Sequence, residues 1–235
     1  MIEIGAQNSV EKKNGLRLAI FGATGGTGLE VTRQALERGH SVRVLVRNPN
    51  RMPLVNQNMR IVMGNVLDAE SVRKTLLGAD AVINCLGQNS IFRNTGVVSQ
   101  GTRQILAVMK EMGLRRIVIT SSFGVGESRV QASLWQRVVF STLLRAPYAD
   151  KEIMEPEVRA SGLDWTLLRP VGLTNGPLTG RVRIHTGATR RFQVSRADVA
   201  QQLLRAVEEK LWVGEAPTVE SSDSAEESGY QPWNA

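Results

Sequence analysis

A short aliphatic run, LRLAIF (16–21), breaks into GATGGTG (22–28), and the chain then takes up the helical pattern GLEVTRQALERG (28–39). A strand, a turn almost without side chains and a helix constrain the fold more than any other part of the chain. The alternation continues. SVRVLVR (41–47), MRIVMG (59–64), DAVINCLG (80–87), RRIVITSS (115–122) and LDWTLLRP (163–170) read as further strands. LRLAIF, DAVINCLG and RRIVITSS are nearly continuous in apolar character, as parallel strands covered on both faces are. Between them DAESVRKTLLG (68–78), TGVVSQGTRQILAVMKEMG (95–113) and a long stretch from Gln131 to Gly162 carry helical patterning. Asp68 and Thr95 stand where N-caps are wanted. Gly39, Gly78, Gly113 and Gly162 stand where helices tend to end.

Strand and helix in alternation imply an α/β fold: a doubly wound parallel sheet, the Rossmann arrangement, with right-handed crossovers. At 235 residues one domain is expected,. It spans 15–213, after an extension at 1–14. Beyond Pro170 the pattern loosens into a small substrate-side region, GLTNGPLTGRVRIHTG, followed by a last helix SRADVAQQLLRAVEEK (195–210) capped by Ser195. Residues 214–235 are polar and acidic and read as a flexible tail. No internal repeat is present.

Composition narrows the function. Three of the 22 acidic residues and none of the 29 basic ones fall in 221–235, so residues 1–220 carry an excess of +10. That excess favours an anionic partner. The arginines are scattered and aromatic residues make up 5%, which argues against a nucleic-acid surface,. The single cysteine, Cys85, rules out an intrachain disulfide and reads as inert packing; His40 and His185 suggest no metal site,. No apolar run is long enough to span a bilayer and no secretion signal is evident, so a cytoplasmic protein is expected.

Gly22, Gly25 and Gly28 give the turn a specific meaning. Gly22 permits the sharp bend, Gly25 lets a pyrophosphate approach the backbone, and Gly28 allows close packing of helix on strand. The helix N-terminus then offers free N–H groups to phosphates. The expected ligand is a dinucleotide. At the end of the second strand, where an NAD site places Asp or Glu, the chain reads VLVRNPNR. Arg47 and Arg51 suit a 2′-phosphate, so NADPH is expected. Asn65 either meets the adenine edge or simply makes a turn.

With GATGGTG, VLVRNPNR, TSSFG (120–124), SGLDWTLLRP (161–170) and PLTG (177–180), the chain resembles the atypical short-chain dehydrogenase/reductases, and more narrowly the biliverdin-IXβ reductase/flavin reductase family. The resemblance covers about Leu16 to Val213. It implies an NADPH-dependent reductase that passes hydride to a flavin such as FMN, as substrate rather than bound group, or to a linear tetrapyrrole such as biliverdin, and acts as a monomer. It assigns Gly22, Thr24, Gly25, Gly26, Thr27, Gly28, Arg47, Arg51, Asn65, Val66, Leu86, Gly87, Thr120, Lys151, Pro170, Val171 and Leu173 to the cofactor. Ser121, Ser122 and Phe123 would face the nicotinamide and acceptor.

The chain departs from the superfamily at its acid. Full alcohol-dehydrogenase chemistry uses Tyr-x-x-x-Lys, but Pro147 stands four residues before Lys151 and Tyr148 three. Gly172, after Pro170 and Val171, excludes a histidine acid there. Ser121 is either an orienting donor or relay, or a strand-end turn cap. Phe123 either walls the nicotinamide or packs the core, and Arg169 meets an anionic substrate group or pairs locally with Glu155. Trp135 belongs to the core or to a lid. Two rival functions remain: a non-catalytic NADP(H)-binding sensor or assembly scaffold, and a reductase or isomerase of quinones, sugars or aldehydes.

Overall fold

The computed structural model describes residues 15–88, 95–142 and 145–223. β1 (Arg17–Phe21) runs into α1 (Gly26–Glu37) and returns as β2 (Ser41–Val46). β3 (Met59–Met63), α2 (Ala69–Leu76), β4 (Ala81–Asn84), α3 (Val97–Glu111) and β5 (Arg116–Thr120) continue the alternation. Two helices follow, α4 (Leu134–Thr142) and α5 (Arg145–Arg159), then β6 (Asp164–Pro170). The short β7 (Gly172–Thr174), β8 (Val182–His185) and β9 (Gln193–Ser195) lead to α6 (Arg196–Glu208) and a last strand, β10 (Thr218–Ser221).

Eight strands form one sheet in the order β3-β2-β1-β4-β5-β6-β10-β8, while β7 and β9 pair separately. Every pairing in the large sheet is parallel except β8 against β10. The order reverses between β1 and β4, which opens a crevice at the carboxyl ends of those strands. Two hydrophobic clusters cover the two faces. On one, α1 packs against α6 over Leu18, Ile20, Val44, Val118 and Leu203. On the other, α3 lies between α2 and α5 over Phe21, Val82, Ile105, Ile119 and Leu167. Among the described residues no helix is long and apolar enough to cross a membrane.

Caps fix where the helices start. Asp68 Oδ2 accepts from the Ser71 N–H at 2.9 Å, and Ser195 Oγ from the Asp198 N–H at 2.9 Å. The expected cap at Thr95 is corrected: Gly96 is the N-cap of α3 and supplies no side chain. Its role falls to buried Asp150 on α5, whose carboxylate accepts from the Val98 and Ser99 N–H groups at 2.9 and 3.1 Å. The long helical stretch expected from Gln131 divides into α4 and α5. Trp135 is neither core nor covered, being 62% exposed with its ring edge-on to Phe192 at 6.0 Å.

The flexible tail expected from 214 is also corrected. Ala216, Thr218, Val219 and Glu220 are buried, and β10 fills the gap between β6 and β8. Glu220 hides that burial from the sequence, because a buried carboxylate is rare unless paired. Here it accepts from Arg183 Nη1 at 2.7 Å and from the Arg190 and Arg191 N–H groups at 2.8 Å, with His185 Nε2 3.3 Å away. The extension 1–14 and residues 224–235 lie outside the described residues. Val219→Ala should cost about 2 kcal/mol in urea unfolding, as for other buried aliphatic truncations. A change under about 0.5 kcal/mol, typical of surface sites, would place this strand outside the cooperative fold.

Candidate functional site

The turn between β1 and α1 is built by close approach. Gly22 has φ +76°, and a Cβ there would lie 2.4 Å from the Cys85 carbonyl oxygen. A Cβ at Gly28 would lie 2.2 Å from the Gly22 oxygen, so neither position tolerates a side chain. This draws the start of α1 against the ends of β1 and β4. Gly25 is the N-cap of α1 and no side chain caps the helix. Its first N–H groups therefore face a cleft of about 530 Å³ with the positive end of the helix dipole behind them,.

Most of the expected cofactor residues line that cleft: Gly22, Thr24, Gly25, Gly26, Thr27, Arg47, Asn65, Val66, Leu86, Gly87, Thr120, Lys151 and Leu173. They come from the ends of five strands and from α1, α5 and β7. Asn65 serves its turn, since its Oδ1 accepts from the Leu67 N–H at 3.1 Å, while the residue still borders the cleft. No Asp or Glu stands among the described lining residues, whereas Arg47, Lys151 and Arg196 do. An uncapped helix end and three cations without a lining carboxylate fit a phosphorylated dinucleotide.

Four of the expected cofactor residues stand elsewhere. Gly28 lies beneath the turn against Gly22. Arg51 is exposed and off the cleft, because the single-turn helix Pro49–Arg51, capped by Asn48 Oδ1 on the Asn50 N–H at 3.0 Å, leads the chain away. Pro170 and Val171 belong to the sheet layer, where the Pro170 carbonyl accepts from the Phe123 N–H and the Val171 N–H donates to Val219. Sequence reasoning misses Arg196. It opens α6, far from any phosphate motif in the chain.

The expected acceptor-facing residues do not line the cleft either. The buried Ser121 hydroxyl donates to Glu155 Oε1 at 2.5 Å, so it is turned into the protein rather than towards an acceptor. Glu155 in turn holds Arg169 Nε at 3.0 Å, which is the local ion pair, and Glu127 also reaches Arg169 Nη2 at 2.9 Å. Phe123 is 2% exposed and packs in the core. Ser122 Oγ and the Ser121 carbonyl both accept from Lys151 Nζ at 2.7 Å. Tyr148 does not occupy an acid's position: its hydroxyl donates to the Phe123 carbonyl at 2.8 Å, and burial pushes its pKa up.

Electrostatics single out Lys151. Burial lowers its pKa to about 8, against the opposing pull of Glu155, Cys85 and Asp150. Burial likewise pushes the Cys85 thiol up to about 11, and its sulfur accepts from Thr120 Oγ1 at 3.5 Å. Cys85 is thus a neutral wall of the cleft and no nucleophile. Ser121→Ala should cost about 1 kcal/mol of stability, through the lost hydrogen bond to a buried carboxylate, and leave dinucleotide affinity unchanged. A tenfold loss of affinity at unaltered stability would return that hydroxyl to the cleft.

Comparison with known proteins agrees with this geometry. An NAD(P)H-binding family model matches residues 22–210. An uncharacterized chloroplastic protein of Arabidopsis thaliana is 29% identical over 185 residues, covering 75% of this chain and 65% of that protein, so the chain spans just under two thirds of this relative. A reductase of Aspergillus terreus, PytE, is 24% identical over 255 residues, covering 86% of this chain and 97% of that protein. ChuY, an anaerobillin reductase from Escherichia coli O157:H7, shares the fold with a TM-score of 0.74 at 22% identity, covering 88% of this chain and 98% of that one. With its glycine turn, open helix end and sheet order in place, the chain belongs to the NAD(P)H-binding family and shares its fold with ChuY.

Proposed function

We propose that the protein is an NADPH-dependent reductase whose acceptor is a planar conjugated molecule, either a flavin such as FMN or a linear tetrapyrrole. The observation that carries the cofactor half is the uncapped start of α1 facing a cleft bordered by Arg47 and lined by no carboxylate. Gly26 and Thr27 would take the diphosphate on backbone N–H groups, the Gly25 N–H being held by the Gly22 carbonyl, and Arg47 would take the 2′-phosphate as a bidentate partner,. Bound there, a reduced nicotinamide supplies the hydride. Leu86, Thr120 and Leu173 would hold its surroundings apolar and dry, and Lys151 would supply positive charge beside the ribose. Fixing two planes in contact is most of what such a transfer asks of a protein.

The acceptor half draws on how the candidate hydroxyl acids are engaged. The Ser121 hydroxyl and the Tyr148 phenol are both engaged by protein groups, which suits an electron-poor acceptor that takes its proton from solvent. The same observation favours a second reading, in which the protein binds NADP(H) as a sensor or assembly scaffold without turnover. Following NADPH absorbance with FMN, biliverdin and a quinone separates the two. Oxidation with FMN or biliverdin supports the first. Measurable NADPH binding without oxidation of any acceptor supports the second.

Arg47→Asp should weaken NADPH by about tenfold or more while sparing NADH, since one charged pair at the 2′-phosphate is removed and a repulsion added. Unchanged preference would defeat the assignment of Arg47. Lys151 loses its proton as pH rises through about 8, so affinity for the anionic cofactor should fall above that pH,. Lys151→Met should flatten this limb; a limb that persists in the variant belongs to another group.

A further inference from the structure

The turn holds one glycine more than its motif needs. Gly22, Gly25 and Gly28 complete the spacing, and Gly26 is left over. We propose that Arg196 reaches from the start of α6 to clasp the dinucleotide's diphosphate, and that position 26 is glycine to let its stem pass. This rests on the reading of the cleft as the NAD(P)H site.

A Cβ at Gly26 would lie 2.7 Å from both Cδ and Nε of Arg196. The arginine stem therefore lies across the first residue of α1, where the helix's free N–H groups are. Arg196 borders the cleft together with Thr24, Gly25 and Thr27. Its Nη1 donates to Asn175 Oδ1 at 2.6 Å, just past the end of β7, which leaves further donors of the fork for a ligand,.

The backbone beneath Arg196 is fixed from two sides. Gln34 on α1 donates to the Ala197 carbonyl at 2.9 Å, tying the first turn of α6 to α1. Buried Asp198 accepts from the Thr179 and Gly180 N–H groups, both at 2.8 Å, and from the Ser195 hydroxyl at 2.7 Å. The PLTG segment and the start of α6 are thus one piece, and Arg196 joins that piece to the phosphate end of the cleft. Arg47, at the end of β2, serves the adenosine end. The two arginines therefore recognise different parts of the coenzyme. Arg47 reads the 2′-phosphate that distinguishes NADPH, and Arg196 grips the diphosphate common to both coenzymes.

The test is titration of NADPH and NADH into the wild type, Arg196→Gln, Arg196→Lys, Arg196→Ala, Arg47→Gln, Gly26→Ala and the Gly26→Ala/Arg196→Ala pair, reading dissociation constants. Arg196→Gln should weaken both coenzymes by about tenfold or more, the size expected for charged hydrogen bonds, with their ratio unchanged. Arg47→Gln should weaken NADPH alone. Gly26→Ala should weaken both coenzymes by pushing the arginine aside, yet add nothing once Arg196 is already alanine. Arg196→Lys, which keeps the charge and loses the fork, should fall between wild type and Gln. Unchanged affinities in Arg196→Gln, or a loss confined to NADPH, would overturn the clasp. An alanine at 26 that is equally harmful in both backgrounds would assign that glycine to the phosphate itself and overturn its role here. A wild type that binds neither coenzyme would refute the cofactor reading and the clasp with it.

Discussion

The contact between Gly22 and the end of β4 governs the rest of the molecule. With Gly22 against the Cys85 carbonyl and Gly28 against Gly22, α1 begins almost on top of the sheet. Any side chain at either position would lift the helix and turn its first N–H groups away from the crevice. Because strand order reverses between β1 and β4, that crevice is where the sheet leaves room for a ligand,. One backbone approach thus aligns a dipole, a set of unpaired donors and a cavity.

Around this point the protein divides its charged groups into two sets. Glu155, Arg169, Glu127 and Ser121 satisfy one another beneath the sheet's carboxyl edge, and Asp150 caps α3 from across a helix interface. These groups are structural. Arg47, Lys151 and Arg196 face the cleft, and among the described residues no acidic one lines it. Burial lowers the Lys151 pKa to about 8, and the opposing pull of Glu155 ties the second set to the first. Charge that is balanced inside the fold holds it together, and charge left over at the cleft marks the kind of ligand the cleft takes.

Much of this is legible in the sequence because it is local. The strand–glycine–helix turn, the Asp68 and Ser195 caps and the basic end of β2 each announce themselves within a few residues. What escapes is set by partners distant in the chain. β10 reads as tail because Glu220 looks like a surface residue until Arg183 and the Arg190–Arg191 backbone surround it. Thr95 reads as a cap because nothing local reveals Asp150. Ser121 reads as free to face an acceptor because Glu155 lies 34 residues on. Spacing alone pairs Arg51 with Arg47, and a capped single-turn helix carries it away. The surplus glycine at 26 is a visible sign of Arg196, though only the structure shows what crosses it.

The most direct test is amide NMR of 15N-labelled protein during addition of NADPH. The N–H resonances of Gly26 and Thr27 should shift progressively and saturably, since hydrogen bonding to phosphate deshields the donor proton, while those at the opposite ends of β1 and β2, such as Arg17 and Ser41, stay in place. Saturable binding that leaves the Gly26 and Thr27 amides unmoved would contradict the central claim that this helix start holds the cofactor.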